Sequence, residues 1–187
     1  MSHPVVIYDY DPRWLVIYEA EKRRVLGAIG HKVLALEHIG STAVPGLGGK
    51  PIVDMMAGIC SSKDADECVR LLQPLGYDDV TPQPNNDEWF YCLGTRAPDQ
   101  RDYEYIHLHL VKFMSDHWTR HLLFRDYLRT HPAVAQQYFE LKKELASRYG
   151  VDRQCYTEAK TKFIESVVVQ ARRQNLSPYG LVSFLNP

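Results

Sequence analysis

A chain of 187 residues is the size of one ordinary domain, long enough to bury a full core without disulfides or a structural metal. Hydrophobic residues make up 45% and charged residues 24%, close to globular averages, which excludes a disordered or fibrous chain. Twenty-two Lys and Arg against twenty-three Asp and Glu leave a formal net charge of -1, so no overall field draws a polyanion and nucleic acid is not an expected partner.

Cys60, Cys68, Cys92 and Cys155 form no C-x-x-C pair, which reads as reduced thiols rather than a zinc knuckle or a redox couple. The start MSHPVVIYDYDP has neither a basic nor an apolar leader segment, and nowhere do eighteen apolar residues run together. A cytoplasmic protein without a membrane span is therefore expected.

In chain order, VVIY is a β-branched run closed by Asp9, Asp11 and Pro12, and it reads as a first strand. Trp14, Ile17, Tyr18 and Val25 then recur at helical spacing up to Gly27. VLALEHI (33–39) and PIVDMMAGI (51–59) are strand-length apolar runs on either side of the Gly-rich, flexible-looking STAVPGLGGK. The stretch 63–75 is helical and stops at Gly76, TPQPNN reads as a turn, WFYCL as a strand and YEYIHLHLVKF as a longer strand. Beyond Phe113 three helices are predicted at about 117–130, 132–149 and 153–174, with Val134, Tyr138, Leu141 and Leu145 on one inward stripe. Pro132 restarts the chain between the first two, and Gly150 with Asp152 supplies a stop and a cap.

These elements predict a single α/β (α+β) domain over 1–175, with a mixed sheet and flanking helices in about 1–115 and a helical part in about 116–175. The tail 176–187, with Pro, Gly and Asn among a few apolar residues, suits an extended segment on the surface or on a second copy of the chain, so a homo-oligomer contact is expected there.

The chemistry centres on HIGSTAVPGLGGKPIVD. Its loop offers backbone N–H groups and the Ser41 and Thr42 hydroxyls, and Gly40, Gly46, Gly48 and Gly49 permit close approach of the main chain, as a phosphate cradle requires. Lys50 ends the loop and Asp54 follows in the next strand. A cation and a carboxylate at one loop suit phosphoryl or nucleotidyl transfer with a divalent metal, although a turn-rich connection with a half-buried Asp fits the spacing equally well. Pro51 stands where a Walker A loop needs Ser or Thr, which excludes a P-loop kinase.

His107 and His109 lie two apart in HLHL and so share one strand face with Tyr105, which marks them for metal ligation or phosphate contact. Arg125 and Arg129 share a helical stripe with Trp118 and Leu122, and Lys160 falls between Tyr156 and Phe163 on another apolar stripe. Buried cations need an anion, so these are candidates to face a phosphate in a cleft, against the alternative that they snorkel to water. Glu21, among Trp14, Tyr18 and Val25, is a further possible partner for one of them.

With these residues in hand, YDPRW, EHIGSTAVPGLGGKPIVD, HLHLV, FRDYLRTHP and YTEAKTKFI, in that order over about residues 5 to 172, resemble the GrpB family, which is regarded as part of the nucleotidyltransferase superfamily. The resemblance implies that superfamily's mixed sheet with appended helices. It also implies that Gly40-Ser41 opens a helix after a strand and that Asp54 is the first acid of an Asp-x-Asp or Asp-x-Glu metal pair. Met56 stands at the second acid, and His107 and His109 occupy the strand expected to carry a third. One aspartate with two imidazoles suits Zn²⁺ or Mn²⁺ better than two Mg²⁺ ions, with Glu37 as a source of the missing carboxylate. Family members can occur fused to dephospho-CoA kinase.

The resulting expectation is a metal-dependent nucleotidyltransferase acting on ATP or another nucleoside triphosphate and a small-molecule acceptor. Asp54, His107 and His109 would be catalytic. Gly40, Ser41, Thr42, Lys50, Arg125, Arg129, Tyr156 and Lys160 would bind the nucleotide, and Asp54, His107, His109 and Glu37 would hold Mg²⁺, Mn²⁺ or Zn²⁺. The alternatives are a catalytically inactive nucleotide- or metabolite-binding protein, and a single-metal hydrolase or ligase using Asp54 with the His107/His109 pair.

Overall fold

The computed structural model describes residues 4–77, 79–85, 88–96 and 105–174, so the expectation placed on the tail 176–187 lies outside the described residues. The chain begins with α1 (Arg13–Ile29), whose buried Trp14, Ile17, Tyr18, Glu21, Val25 and Ile29 follow helical spacing. β1 (Val33–Ile39) and β2 (Ile52–Ile59) flank the Gly-rich loop. α2 (Ser62–Leu72) is capped by Ser61, whose hydroxyl accepts from Asp64 N–H at 3.1 Å, and its 3-10 extension ends at Gly76 in the left-handed conformation. Then come β3 (Asp79–Asn85), β4 (Glu88–Arg96) and β5 (Tyr105–Lys112). The helical part comprises α3 (Asp116–Thr130), α4 (Pro132–Tyr149), α5 (Arg153–Ala159) and α6 (Thr161–Arg173).

The strands form one mixed sheet in the order β1-β2-β5-β4-β3. β2 and β5 run parallel at its centre and the other neighbours are antiparallel. Alternation along the strands sends Val53, Met55, Ala57, Ile106, Leu108 and Leu110 into a core with α1 and α2. The opposite face sends Ala35, Ile39, Met56 and Val111 against Trp118 and Leu122 of α3. A third apolar cluster, with Leu123, Tyr127, Tyr138 and Val167, joins α3, α4 and α6 and takes in Val44 and Leu47 of the loop. The helical part is thus packed on the same sheet face that carries Asp54, His107 and His109.

Three sequence-based expectations are corrected. VVIY forms no strand: Tyr8 makes a single two-way bridge to Gly49, and Val5 N–H bonds the carbonyl of Gly150, so the segment laces the loop to the end of α4. The first five residues of TPQPNN, Thr81 to Asn85, belong to β3, paired antiparallel with β4, and Asn86 lies outside the described residues. Pro82 and Pro84 are tolerated because β3 is the last strand of the sheet and has one edge that needs no donor. The helix expected over 153–174 is two helices. At Lys160 the ladder tightens to a bond from its N–H to the Thr157 carbonyl at 3.3 Å, and α6 restarts at Thr161. The four cysteines are free thiols, and no described helix is long and apolar enough to cross a membrane.

Candidate functional site

Gly40 leaves β1 with φ 71° and ψ -169°, and a Cβ there would stand 2.7 Å from Asp54 Oδ2. Only glycine meets both demands. The chain then makes a 3-10 turn over Ser41–Ala43, closed by Ala43 N–H to the Gly40 carbonyl at 3.3 Å, and the N–H groups that open such a turn have no partner within it. Thr42 is committed to the scaffold: its hydroxyl donates to the Ile52 carbonyl at 3.1 Å and accepts from His38 Nε2 at 3.0 Å. Burial pushes His38 down to about 3, so it acts there as a neutral donor.

Three lysines converge on this turn. Lys142 of α4, 3% exposed, donates to Ser41 Oγ at 2.9 Å and to the Gly48 carbonyl. Burial, aided by the neighbouring charges of Lys160 and Lys50, pushes it down to about 7. Burial and then Lys50 push Lys160 down to about 8 against the opposing pull of Asp54, and burial lowers Lys50 as well. Lys160 lies 4.3 Å and Lys50 5.7 Å from the centre of the Tyr156 ring, a cation–π arrangement that holds both near one wall. No ion pair of these three lysines occurs among the described residues.

Across the sheet, parallel register sets Asp54 beside His107 and Met56 beside His109. Asp54 Oδ1 is 3.3 Å from His107 Nδ1 and 3.8 Å from His109 Nε2. Burial would raise the Asp54 carboxyl, but the hydrogen bonds of the two imidazoles outweigh it and hold the group well below the usual carboxylate range. His117 and His121, one turn apart on α3, complete an imidazole cluster. Their rings stack at 4.4 Å and lie 6.3 and 6.2 Å from that of His109. Burial pushes His117 down to about 3 and His121 to about 4, so both are neutral near pH 7.

Ser41, Lys50, Asp54, His109, His117, His121, Lys142, Tyr156 and Lys160 line one cleft of about 540 Å³ between the sheet and the helical part. The structure sets other expected residues elsewhere. Arg125 is buried behind the loop, with bonds to Glu37 at 2.6 Å, to the His38 carbonyl at 2.9 Å and to both oxygens of Asp126. Glu37 is therefore turned to Arg125 and does not line the cleft. Arg129 grips the Ala43 carbonyl at 2.8 and 3.0 Å, fastening the loop from outside. Glu21 pairs with Arg24 and Tyr77 instead of a cleft cation. Sequence reasoning passed over Lys142, His117 and His121. Lys142 sits four residues after Tyr138 on the inward stripe, the same signal that marked Lys160, and the i,i+4 histidines shared a helix face.

A family model described as GrpB protein matches residues 4–170. The chain belongs to the GrpB family. A UPF0157 protein of Pseudomonas aeruginosa is 35% identical over 95% of this chain and 73% of its own. The crystal structure of the conserved protein GrpB from Enterococcus faecalis superposes with TM-score 0.76 at 27% identity, over 92% of this chain and 100% of that one. The Cid1 poly(U) polymerase with MgGTP bound has TM-score 0.55 at 13% identity over 81% of this chain and 50% of that chain, a likeness in fold alone. This GrpB chain therefore has a nucleotidyltransferase-like fold.

The donor set does not fit the two magnesium ions associated with that fold. Magnesium takes hard oxygen ligands, but Met56 is fully buried in the apolar cluster of α3 and Glu37 is held by Arg125. The cleft's other carboxylate, Asp116, is ion-paired with Arg172 at 2.5 Å. Asp54 stands alone among imidazoles.

Proposed function

We propose that this protein is a nucleotidyltransferase-type enzyme. A nucleoside triphosphate lies with its phosphates against Ser41, Lys50, Lys142 and Lys160, and a small-molecule acceptor approaches Asp54 and His107. The convergence of three lysines on the Gly40-Ser41 turn, without an ion pair among the described residues, carries the reading. Cations drawn together out of water are costly unless an anion offsets them. A polyphosphate supplies that charge and would raise the lowered Lys142 and Lys160 back toward ordinary values.

On this reading Asp54 accepts from His107 Nδ1–H and so fixes the tautomer that leaves Nε2 to take the acceptor's proton. The acceptor oxygen attacks the α-phosphorus, the bond to the β-phosphate oxygen breaks, and pyrophosphate leaves along the lysine wall. Oriented proton transfer of this kind contributes about 10²- to 10⁴-fold in rate. The net charge of -1 favours a small acceptor over a nucleic acid. Binding without transfer is the competing reading, supported by Met56 at the second acid position.

One experiment separates them. The protein is incubated with α-labelled nucleoside triphosphates, a metabolite pool and Mg²⁺, Mn²⁺ or Zn²⁺, and triphosphate affinity is measured by calorimetry. A labelled product with pyrophosphate, abolished by Asp54→Asn, supports transfer. Binding that Lys160→Ala weakens by about 10- to 100-fold, with no product, makes the protein a nucleotide binder. Absence of triphosphate binding overturns both.

A further inference from the structure

We propose that His109, His117 and His121 form a site for one borderline transition-metal ion of the Zn²⁺ or Co²⁺ class, at the seam between β5 and α3. Three imidazoles from two elements meet there, with ring separations of 6.3, 6.2 and 4.4 Å. Imidazoles sharing a tetrahedral ion at metal–nitrogen distances of 2.0–2.1 Å have centres roughly 5 Å apart, so the His109 ring must approach the other two by about 1 Å while the His117–His121 stack opens by less than that. Among the described residues no group of three or more His, Cys, Asp or Glu side chains is placed to hold a metal ion as it stands. Binding requires the stacked His117 and His121 rings, 28° apart in plane, to turn so that their nitrogens aim at one point.

Two details select these rings for an ion. His121 Nδ1–H donates to the His117 carbonyl at 2.8 Å, which fixes the tautomer and leaves the Nε2 lone pair as the donor, the outer-shell arrangement typical of ligating histidines. His109 Nδ1 is buried with no hydrogen-bond partner, a cost that coordination removes. When Nδ1 coordinates, the opposite nitrogen, Nε2, faces the ionised Asp54 at 3.8 Å, so Asp54 serves as the outer-shell carboxylate of a carboxylate–histidine–metal relay. All three rings line the cleft, so a fourth position on the ion is open to a ligand from it. Burial, which lowers His117 and His121, keeps both in the neutral form that ligates. Nitrogen donors select Zn²⁺ or Co²⁺ over Mg²⁺ and Ca²⁺. The proposal does not rest on the nucleotide reading.

The full chain, stripped with a chelator and dialysed, is titrated with Co²⁺ and then Zn²⁺, followed by visible absorption and calorimetry. One equivalent of Co²⁺ with the intense d–d bands of a low-coordinate ion, bleached by Zn²⁺, is expected. His117→Gln and His121→Gln should each weaken binding at least tenfold, whereas the exposed His31→Gln should not. Ring ¹⁵N NMR of the unaltered chain should show Zn²⁺ shifting three histidines assigned to 109, 117 and 121, which guards against a variant that fails to fold. Absence of stoichiometric Co²⁺ or Zn²⁺ binding, affinity unchanged in both α3 variants, or shifts confined to other histidines would overturn the site.

Discussion

Replacing Lys142 by methionine tests the electrostatics of the cleft without any ligand. The amine is 3% exposed and is pushed from 10.5 down to about 7, chiefly by burial. At about 1.4 kcal/mol per pK unit, the full penalty for keeping it charged in the folded state is about 5 kcal/mol, an upper bound. The unfolded chain binds more protons than the folded chain between pH 7 and 10.5, so this group makes stability rise with pH across that window, and its penalty is fully present below about 7. From pH 7 to pH 9 the wild type should gain about 2 kcal/mol relative to Lys142→Met. Losing the bonds to Ser41 and Gly48 shifts the whole difference curve by about 1–3 kcal/mol without changing its slope. Lys160, pushed down to about 8, titrates in both chains and largely cancels. Urea unfolding of both proteins from pH 6 to 9.5 gives the difference curve directly. A flat curve, or one in which the wild type loses ground as pH rises, would refute the buried-amine argument.

Two further substitutions address the scaffold. Met56→Glu places an acid where the family resemblance expects a second carboxylate but sets it among Ala35, Ile39, Val111, Trp118 and Leu122. It should cost about 3 kcal/mol or more, and an unchanged Tm would show that the position opens to the cleft instead. Arg125→Met removes the shared partner of Glu37 and Asp126, all three nearly fully buried, and should cost about 3–5 kcal/mol in urea unfolding. A loss below 1 kcal/mol would mean that the two carboxylates find other partners or water.

Strands β1 and β2 were legible because VLALEHI and PIVDMMAGI are apolar runs between turn residues, and period two fixes that Asp54 and Met56 share a face. β3 was hidden because Pro82 and Pro84 argue against a strand until its edge position is known. VVIY misled for the converse reason: its backbone is held by the one bridge of Tyr8 to Gly49 and by the bond of Val5 to Gly150, a partner 145 residues on, with no strand alongside among the described residues. The pairing of Glu37 with Arg125, 88 residues apart, is likewise invisible to local pattern, so both residues looked available for a ligand. Lys142 was legible in principle, since the stripe logic that marked Lys160 on one helix applies unchanged to Tyr138, Leu141 and Leu145 on another.

Helix α3 links the missing acid to the surplus of imidazoles. Trp118 and Leu122, four residues apart, close over Met56 and make that sheet position a core position. His117 and His121 are the same pair displaced by one residue, about 100° around the helix, and this stripe lines the cleft. A helix lying this close to the sheet covers the second carboxylate position and delivers its own side chains beside His109 in one movement of the backbone. Asp54 escapes cover because Gly40, without a Cβ, lies directly against its carboxylate. The buried Met56 and the cleft-lining imidazoles of His117 and His121 are therefore two consequences of one packing arrangement, and a variant that lifts α3 from the sheet should alter both together.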